Sequence, residues 1–187
     1  QAYKEAITEA MMAEASDHPP VDRSFLQKEC WQRIIRAVDS KLEAWERDKL
    51  PQLTHEMEDE FHGQDGPMRL HNYIDSMKKE KITQLVAEEI ATTNYYAIEE
   101  IAGQTPRDAL ASGFFQCDMA AVIMISILKH QYNIHARYIG TRPSITESGR
   151  CFLIHGRGHA TVEVFYQGGD GGSYSEIFDP TPITKQV

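Results

Sequence analysis

An α+β fold is predicted, with a helical N-terminal region followed by a mixed region ending in an antiparallel sheet, and three observations predict it. Ala, Glu, Lys, Leu and Met, all good helix formers, dominate the first hundred of the 187 residues. From about Gly103 onward, β-branched and aromatic residues rise and glycines cluster. After Asn133 apolar and polar side chains alternate with a period of two, the pattern of half-buried strands. The shift in composition divides the chain into a helical region, residues 1–102, and a second region, residues 103–187, expected to carry the chemistry.

The helices follow from their stops. A first helix is expected to run to about Ala15 and to end at Ser16-Asp17-His18-Pro19-Pro20, because paired prolines cannot continue it. A second starts near Ser24. In it Phe25, Leu26, Cys30, Trp31, Ile34, Ile35, Val38, Leu42 and Trp45 recur at three- and four-residue steps, an amphipathic stripe in which Cys30 reads as a small buried hydrophobe. Prolines are read as marking two interruptions only. The cluster Gly63-Gln64-Asp65-Gly66-Pro67 closes the next helical piece, and a further helix resumes around Met68.

In the second region, the run after Cys117 is apolar on nearly every face and predicts a helix buried in the core. Ile134–Thr141, Cys151–Gln167 and Tyr174–Asp179 read as strands. Gly168-Gly169-Asp170-Gly171-Gly172-Ser173 joins the last two as a hairpin turn; it lacks the Lys-Ser/Thr ending of a phosphate loop and the alternating carboxylates of a calcium loop.

Composition narrows the function. With 41% hydrophobic and 25% charged residues the chain is of globular rather than disordered type. The net charge of -9 comes from residues 1–100, which hold 12 Lys/Arg against 21 Asp/Glu, while the remainder holds 7 of each. Such acidity repels phosphate backbones and anionic membrane surfaces, and no basic stripe interleaves with aromatics, so no nucleic-acid partner is expected. No stretch reaches the roughly 18 apolar residues of a membrane span. The first residues, Gln1-Ala2-Tyr3-Lys4-Glu5, read as the inside of a helix, and the sequence is expected to be an excised piece. Three scattered cysteines, Cys30, Cys117 and Cys151, leave at least one thiol unpaired and favour a reducing, cytoplasmic-type compartment. None has a zinc-type spacing, and no metal or cofactor is implied.

Three residue blocks carry chemistry. Cys117 stands where a turn becomes a helix, among unpaired backbone N–H groups and the positive end of the macrodipole, which favour a thiolate and can hold an oxyanion. His159 begins a strand in which Ala160, Val162 and Val164 share one face and Thr161, Glu163 and Phe165 the other. Asp179 ends the next strand before Pro180. The glycine-rich hairpin makes these strands neighbours, so the carboxylate is expected to accept a ring N–H of His159 and fix its tautomer. Other candidates have blander readings: Cys151 is a structural thiol, His155 a strand or loop residue, and His55, Glu56, Glu58 and His62 form a solvated acidic face without metalloprotease spacing.

Gln116-Cys117, Gly158-His159-Ala160 with Glu163, and Phe178-Asp179-Pro180-Thr181 resemble the three signature blocks of the transglutaminase-like superfamily, in the family's order and 42 and 20 residues apart. Asn133 to Gly140 is similar to the family's strand after the catalytic helix. The resemblance spans roughly residues 103–184. It implies a papain-like core, with a buried helix carrying the nucleophile Cys117 and an antiparallel sheet carrying the base His159 and the orienting Asp179. Two positions depart from the pattern and bear on the substrate: Asp118 stands where many members have an aromatic residue, and Thr161 where they often have Trp.

The implied activity is acyl transfer from a protein amide through a thioester, ending in glutamine deamidation or transglutamination. A cysteine protease would use the same triad, and an inactive papain-like binding module would keep the fold alone. The Cys117 backbone N–H is the first oxyanion donor, with Gln116 and Gln104 as candidates for a second.

Overall fold

The computed structural model describes residues 29–97, 106–141 and 159–185. The expected first helix, Phe25 and Leu26, Gln104, Cys151, His155 and the Cys151–Gly158 part of the long strand lie outside the described residues, as does the side chain of Cys30. Among the described residues there are five helices: α1 (Glu29–Asp48), α2 (Leu50–Glu58), α3 (Gly66–Thr93), α4 (Pro106–Ser112) and α5 (Cys117–Tyr132). Six strands accompany them: β1 (Tyr95–Tyr96), β2 (Phe114–Phe115), β3 (Ala136–Thr141), β4 (His159–Gln167), β5 (Ser173–Phe178) and β6 (Thr184–Lys185). The chain is thus α+β.

Helix α1 buries the expected stripe, with Trp31, Ile34, Ile35 and Val38 in the core and Leu42 packed against it. It ends at Asp48 because Pro51 has no N–H to extend the ladder and its ring would strike the carbonyl one turn back. Pro51 therefore adds an interruption beyond the two expected from the sequence. Helix α3 starts at Gly66, where a Cβ would lie 2.5 Å from the Phe61 carbonyl oxygen, and buries its second half through Leu85, Val86, Ala87 and Ile90. Glu89 on the same face is also buried, and the Lys41 ammonium at 2.8 Å neutralises it across the α1–α3 contact.

Helix α5 is the centre of the core. Eleven of its 16 residues are buried, on every face, as its uninterrupted apolar run requires. Asn133 ends it in the left-handed conformation at φ 54°, and the Ile134 N–H returns to the Leu128 carbonyl at 2.9 Å. The chain then enters β3. That strand pairs antiparallel with β4, and β4 pairs antiparallel with β5, in the order β3-β4-β5. Ala160, Val162, Val164 and Tyr166 of β4 face the core, as the alternation predicted.

A second, smaller sheet is parallel and has the order β2-β1-β6. Its strands have two residues each, too few to show any periodicity in the sequence. Strand β1 comes from the helical region, and both of its partners come from the region after it. One hydrophobic cluster joins α1 and α3 to α5, β3 and β4.

Candidate functional site

The site is built where α5 begins, β4 begins and β5 ends. Gly113, at φ +75°, turns the chain from α4 into β2, and its carbonyl accepts the Tyr95 N–H at 2.7 Å. Strand β2 leads straight to Gln116, which is extended (φ −93°, ψ 179°) and caps α5 without a side-chain hydrogen bond. Its carbonyl accepts the Ala120 N–H at 3.0 Å. Cys117 is therefore the first residue of α5, and it is buried.

The hairpin determines the second half of the site. Its five-residue loop is closed by hydrogen bonds from the Gly171 N–H to the Gly168 carbonyl at 3.0 Å and from the Gly172 N–H to Asp170 Oδ1 at 2.9 Å. Val162 pairs with Phe178, so one step further Asp179 lies beside Thr161, and His159 is two residues away on the same side of the strand. His159 Nε2 and Asp179 Oδ2 meet at 2.7 Å. The other carboxylate oxygen, Oδ1, accepts the Thr181 N–H at 3.1 Å and the Thr181 hydroxyl. Burial pushes the Asp179 carboxyl up, but the bonds from Thr181 and His159 outweigh it and hold the group below its ordinary value.

Cys117 Sγ donates to Asp118 Oδ1 at 3.0 Å. Burial raises the Asp118 carboxyl above its ordinary value; the bond from its own backbone N–H and the positive field of His159 act against that rise. From β3, Tyr138 faces the same group: burial first, then the electrostatic influence of Asp118 and its neighbour Cys117, push its phenol up to about 12. The structure thus joins His159 to Asp179 directly, and Cys117 to Asp118, with His159 and Tyr138 as titratable neighbours of that second pair.

No protein-family model, curated protein or solved structure matches the chain.

The remaining candidates take these positions. The Gln116 side chain donates through Nε2 to the Ala97 carbonyl at 3.2 Å, which ties it to the strand region after α3 and engages one of its two amide hydrogens. His55 is exposed and lies 3.4 Å from Glu58 on the solvated acidic face of α2. Among the described residues no group of three or more His, Cys, Asp or Glu is arranged to hold a metal ion, and no helix is long and apolar enough to cross a membrane. Sequence reasoning did not anticipate Tyr138. Its place in β3 opposite Val162 gives it the core-facing side of the strand, a position that the alternation from Ala136 could have flagged.

Proposed function

We propose that the chain is a thiol-dependent acyl hydrolase or transferase of the transglutaminase-like, papain-type class, acting on an amide of another protein. One observation carries the reading: a histidine fixed by a carboxylate at 2.7 Å begins a strand that packs on the core helix opened by a buried cysteine. With Nε2 committed to Asp179, Nδ1 is the ring nitrogen that takes the thiol proton.

The thiolate then attacks a carboxamide or peptide carbonyl, and the developing oxyanion is held by the Cys117 backbone N–H and the second amide hydrogen of Gln116. Collapse breaks the C–N bond; the imidazolium returns its proton to the departing amine and a thioester remains. Water releases it as the acid, and a lysine amine releases it as a cross-link. A backbone carbonyl in place of a glutamine side chain makes the same steps proteolysis.

Mass spectrometry of candidate acidic and basic partner proteins after incubation separates the outcomes: a gain of about one dalton for deamidation, a new covalent adduct, or fragments. Cys117→Ala should abolish all three. Partners left unmodified under every condition would remove the enzymatic reading. One observation favours an inactive binding module instead, the engagement of the thiol by Asp118, and a partner bound equally by the wild type and Cys117→Ala without modification would establish it.

A further inference from the structure

The hydrogen bond from Cys117 to its neighbour assigns a role to a residue that the triad does not use. Asp118 is half-buried in the first turn of α5, and no salt bridge to it is found among the described residues. A carboxylate accepting an S–H bond stabilises the thiol. Once the sulfur ionises, the same contact sets two anions against each other, in surroundings where solvent screens them less than at a free surface.

The groups around the pair sharpen the contrast. On α5 the Asp118 carboxylate also takes its own backbone N–H; from β3 it is faced by the Tyr138 phenol; and from β4 by His159, which is bound in turn to Asp179 beyond the end of β5. His159 is the one of these that can gain a positive charge. We propose that Asp118 is a positioning residue that holds the resting sulfur of Cys117 as the neutral thiol, and that the sulfur becomes nucleophilic when its proton passes to His159. In that step the S–H bond breaks, its electron pair stays on sulfur, and the proton forms an N–H bond at Nδ1. The imidazolium so formed lies in the field of the Asp118 carboxylate, which offsets part of the repulsion that the carboxylate exerts on the thiolate. The inference rests on the proposed function for the role of His159 alone; the restraint by Asp118 stands on the hydrogen bond.

The test is the rate at which iodoacetamide alkylates Cys117 in the full chain, followed by peptide mass spectrometry from about pH 5 to 9, with Cys30 and Cys151 as internal references. Asp118→Asn keeps an oxygen that can accept the S–H bond and removes the charge. Near neutral pH it should raise the Cys117 rate roughly tenfold and move the rise of rate to lower pH, leaving the two reference thiols unchanged. A rate and profile equal to the wild type, or slower alkylation, would overturn the proposal. Circular dichroism reports whether the variant folds, and Asp118→Ser provides the same loss of charge should the Asn variant not fold. His159→Ala separates the two readings: if it leaves alkylation unchanged while Asp118→Asn still accelerates it, the triad is wrong and the restraint stands. If His159→Ala slows alkylation while Asp118→Asn does nothing, the restraint is wrong and the triad stands.

Discussion

His159 and Asp179 meet at 2.7 Å, a contact that links the first residue of β4 to the residue just after β5. The contact has a pH signature. Because the Asp179 carboxyl is held below its ordinary value of 3.8, the unfolded chain binds this proton more readily than the folded one. The stabilisation is complete above that ordinary value and is lost as pH falls through the lower, folded value. Thermal unfolding of wild type and Asp179→Asn should differ near pH 6, keep that difference down to the ordinary value of 3.8, and converge only as pH falls further, through the folded value. A gap of constant size down to strong acid would show that the carboxylate charge is not what the contact uses.

Gly113 carries the turn into the strand before Cys117. Its φ of +75° is the difficulty for any other residue, since an added Cβ would meet only Asn94 Oδ1 at 3.9 Å. Gly113→Ala should therefore cost about 1–2 kcal/mol in denaturant unfolding, and Gly113→Asn less, because Asn tolerates the left-handed region better. Equal losses for both variants would point to crowding rather than backbone conformation.

Ile123 is fully buried in the middle of α5. Truncation to Ala leaves a cavity in the core, and urea unfolding should register a loss of about 2–5 kcal/mol. Ser126, one turn on, is half-buried and bonds the Val122 carbonyl at 2.8 Å, so Ser126→Ala should stay within about 1 kcal/mol of wild type. The contrast tests whether α5 is a core helix on all the faces assigned to the core.

Tyr132 donates its hydroxyl to Asp39 Oδ1 at 2.8 Å, fastening the end of α5 to α1. Burial raises this phenol far above its ordinary value, with the bond and charge of Asp39 acting in the same direction, so it stays neutral and a donor. Tyr132→Phe should cost about 1–2 kcal/mol, and a double-mutant cycle with Asp39→Asn should show coupling between the two. Additive losses would mean that the hydroxyl bonds water as well as it bonds Asp39.

Where periodicity is long, the sequence was informative. The α1 stripe, the apolar run of α5 and the alternation of β4 each repeat over several residues, and burial follows them at Trp31, Ile34, Ile35 and Val38 of α1, along α5, and at every second residue of β4 from Ala160 to Tyr166. The meeting of His159 and Asp179 was legible for the same reason, since a short glycine-rich hairpin between alternating strands leaves little choice of register. The small parallel sheet was not, because pairs such as Tyr95 with Phe114 and Thr184 depend on distant chain segments rather than on local pattern. Nor was the thiol's partner: Asp118 follows Cys117 directly, yet adjacency alone does not say which way a side chain in a first helical turn will point.

Tyr95 and Tyr96 splice two stretches that are far apart in the chain, the one that runs into Cys117 and the one that runs out from Asp179. Stacking of Tyr95 on Phe114 and the Ile183 N–H bond to Ala91 hold the splice from both sides. Mechanically this is a single clasp shared by the route in to the thiol and the route out from the acid. Slackening it would free both stretches together, and a molecule pulled apart under load at those two tyrosines would release the segment before Cys117 and the segment after Asp179 in one event.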